Sequence, residues 1–395
     1  MKHIGLSEHS VKTISNYLKN RKQFVRINSN DSEILLTGPV SVGQGSVISG
    51  LLYGIMTLDM HYQLHLKSHK NNYEYSRCNG PYIGTFIDDC FGLLETEDAD
   101  MLWIKINEFI MGMNSYYTNN RLKNNIKKSS IMIISDNINL KDREILINGN
   151  ILKHSSTMRV LGTLLSDNLK WNSYICEGKN SLLSQLKKRI SAIKYIKSKV
   201  SIKFAKQLAT SLVYSKLLFH IEAWGLTTIT NKRKIDRQLV KIAQYLIGPR
   251  GLGKTDQWFL NEMNWKNTND LYEFSLIKYT HKIIMNENNP HNFRYYLLEG
   301  RNDLKRKSYK IGPHKPIIGR SQYTQSSYFY STVNIYNKLP DNLTQIKKPS
   351  LFKSWLKKYF NDKNIQIPNN MMNPENIVED PESYFSYDTT SNCFP

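Results

Sequence analysis

The chain has 395 residues, 40% of them hydrophobic and 11% aromatic, which argues against an intrinsically disordered protein and predicts about two to three globular domains. Lysines and arginines number 54 against 33 acids, a net charge of +21 that favours a polyanionic partner. Nucleic acid is the usual such partner, and an anionic membrane surface would satisfy the same electrostatics. No apolar run reaches membrane-spanning length and the N-terminus lacks a signal-peptide core, so an intracellular protein is expected.

The first elements are a short helix, two strands and a glycine-rich turn. Helical spacing of apolar residues predicts a helix over 7–18, and strands are expected at 21–27 and 33–37. Residues 38–46 then form a glycine-rich turn before an apolar helix at 47–58, with Ser46 as its predicted N-cap. Such a turn is either ordinary loop chemistry or a place where backbone amides approach a phosphate.

An adjacent pair of carboxylates, Asp88 and Asp89, lies between two runs rich in β-forming residues within 82–94. This pattern predicts a hairpin with the acids at its turn. Taken alone, a solvated turn is the commoner explanation of such a pair. The functional alternative is a metal platform, because a divalent cation surrounded by phosphate oxygens needs hard carboxylate ligands.

Four short motifs, in the proper order, resemble those of reverse transcriptases of non-LTR retrotransposons. They are the Gln-Gly motif in residues 38–53, the Tyr/Phe-x-Asp-Asp motif in 86–89, the Asn-x-x-Lys-Thr motif in 125–129 and the Leu-Gly motif in 160–162 with 167–171. Residues 17–25 also resemble the segment that precedes the Gln-Gly motif in this family. The resemblance covers most of residues 5–360.

The resemblance implies an α+β fold with a partial right-hand polymerase palm, an antiparallel sheet with helices, followed by a helical thumb and a mixed C-terminal extension. The expected boundaries are 1–175 for the palm, 176–265 for the thumb, 266–360 for the extension and 361–395 for a disordered tail. The implied activity is that of an RNA-directed DNA polymerase, which uses an RNA template, a DNA primer and deoxynucleoside triphosphates. A nuclear location or a cytoplasmic ribonucleoprotein is expected from the family.

The family also implies roles for individual residues. Asp88 and Asp89 would hold Mg²⁺, two ions in the family with Mn²⁺ as an alternative, and Lys128 would face the pyrophosphate leaving group. The residues expected to line the nucleotide and template pocket are Gln44, Gly45, Ser46 and Phe86. The residues expected to contact the nucleic-acid backbone are Lys187, Lys188, Arg189 and Lys194, which lie off the apolar face of a predicted thumb helix.

This chain departs from the family pattern in several places. Gly43 stands where the family usually has Pro, and Phe86-Ile87 replaces the commoner Tyr-Ala. The family also uses a further Asp on a strand before the Gln-Gly motif, where this chain has only Asp31. The chain is therefore expected to begin inside the palm and to be inactive by itself, which leaves a non-catalytic nucleic-acid-binding remnant as the alternative.

A third hypothesis comes from residues 248–255, which fit the P-loop pattern G-x-x-x-x-G-K-[ST] in full. A true P-loop follows a strand, whereas the residues before 248 have helical spacing. We therefore predict a helix stop and turn there, with a P-loop nucleotidase as the less favoured function. Further helices are predicted at 99–116, 271–285 and 350–359.

Overall fold

The computed structural model describes residues 5–28, 30–36, 46–60, 63–64, 82–96, 98–135, 144–147, 150–152, 154–285, 297, 311 and 328–363. The fold is α+β, with helices and small antiparallel sheets of two strands. The chain divides into two compact units, Met1–Ser156 and Thr157–Pro395. The predicted palm, thumb and extension boundaries stay predictions, since the hairpin at 157–166 is grouped here with the helices that follow it.

The first unit contains three helices and eight short strands among the described residues. The helices are α1 (Glu8–Leu18), α2 (Ser49–Met56) and α3 (Ala99–Asn119). The strands are β1 (Lys22–Gln23), β2 (Arg26–Ile27), β3 (Asn30–Asp31), β4 (Leu35–Leu36), β5 (Tyr82–Phe86), β6 (Asp89–Leu93), β7 (Ile145–Ile147) and β8 (Asn150–Leu152). They pair as β1 with β4, β2 with β3, β5 with β6 and β7 with β8.

Helix α3 organises the core of the first unit. Its N-cap is Asp98, whose side chain accepts a hydrogen bond from the amide of Asp100. The helix contributes to two small apolar clusters: Met113 and Tyr116 pack with Ile83 of β5, whereas Ile106 packs elsewhere. The predicted helix at 99–116 is confirmed, and the structure extends it by one turn.

The two strands predicted at 21–27 and 33–37 form two short ladders instead of one continuous ladder. The break lies at Val25, whose amide donates to the Ser32 hydroxyl at 2.9 Å and whose carbonyl accepts from the Ser32 amide at 2.8 Å. Asn28 then turns the chain with a φ of 55°. All described side chains of 22–36 are exposed.

The second unit is mainly helical. Its elements are β9 (Thr157–Val160), β10 (Thr163–Ser166), α4 (Asn172–Ile175), α5 (Leu182–Ile196), α6 (Ile202–Ala209), α7 (Ser215–Leu218), α8 (Ile221–Trp224), α9 (Ile229–Ile247), α10 (Asp256–Glu262), α11 (Thr268–Met285), α12 (Tyr328–Tyr336), α13 (Asp341–Thr344) and α14 (Pro349–Asn361). Among the described helices, none is both apolar and long enough to cross a membrane.

Helices α5, α6 and α9 share one large core. The expected apolar face of α5, residues Leu183, Leu186, Ile190 and Ile193, is confirmed, since the last three are buried and Leu183 is half-buried against the same core. On α6, Ala205 and Ala209 are buried, whereas Phe204 is exposed. Small alanines let neighbouring helices approach closely, which leaves the larger aromatic ring outside.

A second core cluster joins the end of α11 to α12, α13 and α14. The buried His281 lies at its centre, with Nδ1 at 2.8 Å from the Tyr336 hydroxyl and Nε2 at 2.7 Å from the Ile346 carbonyl. The Phe352 ring stacks on the imidazole at a centroid distance of 3.5 Å. The predicted helices at 271–285 and 350–359 are confirmed by α11 and α14.

Candidate functional site

The predicted carboxylate hairpin is present, and its turn is the shortest that a hairpin uses. Phe86 of β5 pairs with Asp89 of β6, so that Ile87 and Asp88 alone form the turn. Asp88 and Asp89 are both exposed. The Asp88/Asp89 hairpin, residues 82–93, therefore presents two adjacent carboxylates to solvent at one end.

The turn holds a residue in an unfavourable backbone conformation. Ile87 has a φ of 53°, a region that β-branched residues rarely adopt because of contacts between Cβ and the backbone. Its side chain is 55% exposed, so burial does not compensate for this strain. Such strain is found preferentially at functional sites.

The body of the hairpin is fixed against α3. Ile83 is buried in the cluster that contains Met113 and Tyr116. At Gly92, an added Cβ would lie 2.5 Å from the ring of Phe109, so only glycine allows that ring to approach the strand. The exposed tip thus extends from a packed base.

Helix α2 places a tyrosine close to the hairpin tip. The pKa of Tyr53 is raised, first by burial and then by the negative charges of Asp88 and Cys90. Burial also raises the pKa of Cys90, which contacts Met60 at a sulfur–sulfur distance of 3.9 Å. No role for Tyr53 was expected from the sequence. The feature that could have identified Tyr53 is its position as the last residue of the Gln-Gly motif, residues 38–53.

Two other carboxylates of the first unit, Asp31 and Asp59, are engaged in structural contacts. Asp59 accepts from the Tyr116 hydroxyl at 2.8 Å and from Gln63 at 2.6 Å. Asp31 is paired with Arg26 through two contacts of 2.5 and 2.8 Å, and this hydrogen-bonded cation lowers the pKa of the Asp31 carboxyl. Neither carboxylate is free to join the hairpin acids.

The hairpin tip fits one hard divalent cation by the chemistry of its donors. Mg²⁺ is commonly held by one or two carboxylates together with substrate phosphates and waters. Within the described residues, no group of three or more His, Cys, Asp or Glu side chains lies close enough to hold a metal. At the tip, Asp88 and Asp89 are two adjacent exposed carboxylates.

The structure places Lys128 in a 3₁₀ turn, Ile126–Lys128, where its side chain is exposed. It forms no ion pair with Asp88 or Asp89, all three being described residues. Shortly after it, Ile131 forms a single parallel bridge with His154. Its predicted place beside the leaving group stays a prediction.

Of the predicted pocket residues, Gln44 and Gly45 lie outside the described residues. Phe86 is 55% exposed at the hairpin tip. Ser46 is not the N-cap of α2, and that prediction is wrong. The helix begins at Ser49, whose amide and hydroxyl both donate to the Ser46 carbonyl, and the Ser46 hydroxyl contacts that of Tyr17 at 2.8 Å.

The predicted backbone-binding residues share α5 but differ in their surroundings. Lys187 and Lys188 are exposed. Arg189 is half-buried and donates to the Leu212 carbonyl at 2.5 Å, which ties it to the neighbouring turn. The Lys194 ammonium lies 5.1 Å from the centroid of the Tyr245 ring. Lys187 and Lys188 are therefore the most available for a phosphate.

The P-loop pattern lies at a junction between two helices. Helix α9 ends at Ile247, and Gly248 follows with a φ of 71°. The hydroxyl of Thr255 accepts from the amide of Trp258 and so caps α10. Because a helix precedes the pattern, the strand that a P-loop requires is missing at this place.

Comparison with protein-family models, curated proteins and solved structures finds no match to this chain.

Proposed function

We propose that the chain is a reverse-transcriptase-type module whose Asp88/Asp89 hairpin is the platform for a divalent cation in nucleotidyl transfer. The observation that carries the proposal is the two-residue turn, because it presents two adjacent carboxylates at the exposed end of a packed hairpin. The four motifs described above support the same class. The substrates would be an RNA template, a DNA primer and deoxynucleoside triphosphates.

Asp88 and Asp89 would hold the Mg²⁺. Bound there, the ion would supply activation of the primer 3′-hydroxyl and stabilisation of the pyrophosphate. The contribution of the chain is to fix two negative charges on one rigid tip, where their exposure leaves room for phosphate oxygens. The Tyr53 side chain beside Asp88 would help to shape the pocket on the α2 side.

The isolated chain is proposed to bind its substrates without extending a primer. In the family, a further Asp completes the metal site, and a pair of metal ions needs more than two carboxylates. Here Asp31 is occupied by Arg26, and Asp59 by Tyr116 and Gln63.

A non-catalytic nucleic-acid-binding protein is the second candidate, favoured by the charge of the α5–α6 region. Residues 178–221 contain ten lysines and arginines and no acid. An acid-free basic segment of this length, with exposed lysines on α5, suits contact with phosphates. This candidate needs no metal.

One experiment distinguishes these functions: retention of a labelled, template-matched deoxynucleotide on an RNA template with a DNA primer, in Mg²⁺. Wild type is expected to retain the nucleotide and Asp88→Asn to lose it. Asp100→Asn, an exposed carboxylate on α3, is the matched control. The second candidate would be favoured if nucleic acid binds without the nucleotide and binds equally well to Asp88→Asn. The proposed inactivity would be contradicted if wild type extends the primer and Asp88→Asn does not.

A further inference from the structure

The second unit contains a cavity that belongs to none of the predicted sites. Its volume is about 220 Å³, which is smaller than the roughly 300 Å³ at which pockets for drug-sized ligands begin. The residues that line it come from β9, β10, α4 and the start of α5: Arg159, Leu164, Ser173, Tyr174, Glu177, Gly178, Lys179, Asn180 and Ser181. Its size suits a small group of a few heavy atoms.

Two cationic side chains line the cavity. Arg159 is exposed, and one of its guanidinium nitrogens donates to the Gly162 carbonyl at 3.0 Å. A guanidinium has five N–H donors, so others remain for a further acceptor. Lys179 is also exposed, and in the described part of the chain neither side chain forms an ion pair.

The N-terminus of α5, a helix of 15 residues, also meets the cavity. Gly178 turns the chain with a φ of 81°, and the buried Ser181 caps the helix by accepting from the amide of Ser184. The N-terminus of a helix carries about half a positive charge. An anion in this cavity would therefore be stabilised by the helix as well as by the side chains.

An unsatisfied buried hydroxyl provides an independent indication of a ligand. Tyr174, another lining residue, is 4% exposed, and its hydroxyl has no hydrogen-bond partner among the residues that the structure describes. Its ring is held between those of Trp171 and Trp224, each with a centroid distance of 6.3 Å. Burial raises the pKa of Tyr174 and the charge of Arg159 opposes this effect, which places the hydroxyl and the guanidinium within electrostatic reach.

We propose that this cavity binds a phosphate group, with Arg159 and Lys179 as charged ligands, the α5 N-terminus as a dipole and the Tyr174 hydroxyl as a neutral donor. One lining residue opposes the ligand: the Glu177 carboxylate, which accepts from the Ser173 hydroxyl at 2.9 Å. The lining side chains then sum to one net positive charge, so binding is expected to be moderate and to be limited by Glu177. The proposal does not depend on a polymerase function.

The test is calorimetric titration of the full chain with inorganic phosphate, followed by an oligothymidylate with a 5′-phosphate and the same strand with a 5′-hydroxyl. Arg159→Gln is expected to weaken phosphate binding by roughly tenfold, and Glu177→Gln to strengthen it by several-fold. Lys347→Gln, at an exposed lysine between α13 and α14, removes the same charge outside the cavity and is expected to leave the affinity unchanged. Binding of inorganic phosphate would identify a free phosphate as a sufficient ligand, whereas Arg159-dependent binding of the phosphorylated strand alone would identify a strand end.

Tyr174→Phe separates a binding role from a structural one. This change keeps the ring between the two tryptophans and removes only the unpartnered hydroxyl, so the melting temperature without ligand should stay equal or rise. The increase in melting temperature caused by phosphate should become smaller. The proposal is overturned if inorganic phosphate does not bind and the two strands bind equally, or if Lys347→Gln weakens binding as much as Arg159→Gln.

Discussion

Phe86 and Asp89 are the last paired residues of the Asp88/Asp89 hairpin, which forces Ile87 to a φ of 53° in the turn between them. Asparagine adopts this conformation at much lower cost. Ile87→Asn should therefore stabilise the hairpin by about 1 kcal/mol, since the lost side chain is mostly exposed.

Hydrogen exchange of the hairpin amides measures this effect within the first unit. Exchange should slow by roughly fivefold in Ile87→Asn. Ile34→Asn is the control, because Ile34 is also exposed but its φ is negative. Faster exchange in Ile87→Asn would show that the turn is not strained.

The elements that the sequence predicted well are those in which local signals and packing agree. Ser7 and Ser201 each directly precede a helix and cap it, because each side chain accepts from an amide three residues ahead. The hairpin at 82–93 followed from β-forming residues around an acidic turn. Its two-residue length and the strain at Ile87 could not be predicted, because register depends on how Ile83 packs against α3.

Other parts of the site depend on contacts between residues distant in the sequence. Tyr53 comes close to Asp88 only because α2 folds beside the hairpin. The cap expected at Ser46 moved because the Ser46 carbonyl already accepts from Ser49, so that α2 starts later. The cavity around Tyr174 draws residues from β9, β10, α4 and α5 and has no signature in the sequence.

Asp236 on α9 fixes the start of α11 by accepting from both the amide and the hydroxyl of Thr268, at 2.8 and 2.6 Å. Thr268 is fully buried, so Asp236→Ala leaves two buried donors without this acceptor. We expect a loss of about 2 kcal/mol in the free energy of unfolding, measured in urea by tryptophan fluorescence. Asp236→Asn keeps an acceptor oxygen and should lose less than half as much.

The same carboxyl makes a pH-dependent contribution to stability. Burial raises the pKa of Asp236, while the hydrogen bonds from Thr268 lower it. Since the folded-state pKa lies above the unfolded value of about 3.9, the folded state holds the proton more tightly. The free energy of unfolding of wild type relative to Asp236→Asn should therefore fall as the pH rises from about 4 through the raised pKa. A difference in free energy of unfolding that stays constant over this pH range would contradict the prediction.

Thr255 and Lys254 test the P-loop pattern. Because the Thr255 hydroxyl caps α10, Thr255→Ala should lower the free energy of unfolding by about 1 kcal/mol, and Thr255→Ser should restore it. Lys254→Ala should leave stability and ATP binding unchanged, as its ammonium only lies 5.9 Å from the Trp258 ring. Equilibrium dialysis with labelled ATP checks the second point; saturable binding lost in Lys254→Ala would establish a nucleotide site.

The exposed lysines of α5 should set the salt dependence of nucleic-acid binding. Replacing Lys187, Lys188 and Lys194 by Gln should reduce the slope of log K against log salt by about 0.7 for each lost contact with a single strand. Fluorescence anisotropy with a labelled RNA measures this slope. The control variant replaces three other exposed lysines of the second unit, Lys338, Lys347 and Lys357. If the slope decreases equally in both variants, the attraction is spread over the unit and α5 is not a specific binding surface.

If Asp88 and Asp89 hold a divalent cation, the affinity of the chain for Mn²⁺ depends on both carboxylates. Electron paramagnetic resonance measures the free Mn²⁺ and so gives the affinity of the chain for Mn²⁺. The measurement is made in the presence of an RNA template, a DNA primer and the matched deoxynucleotide. The double variant Asp88→Asn with Asp89→Asn should bind Mn²⁺ at least about tenfold more weakly than wild type, with Asp100→Asn unchanged. Equal Mn²⁺ affinity in wild type and the double variant would contradict the account.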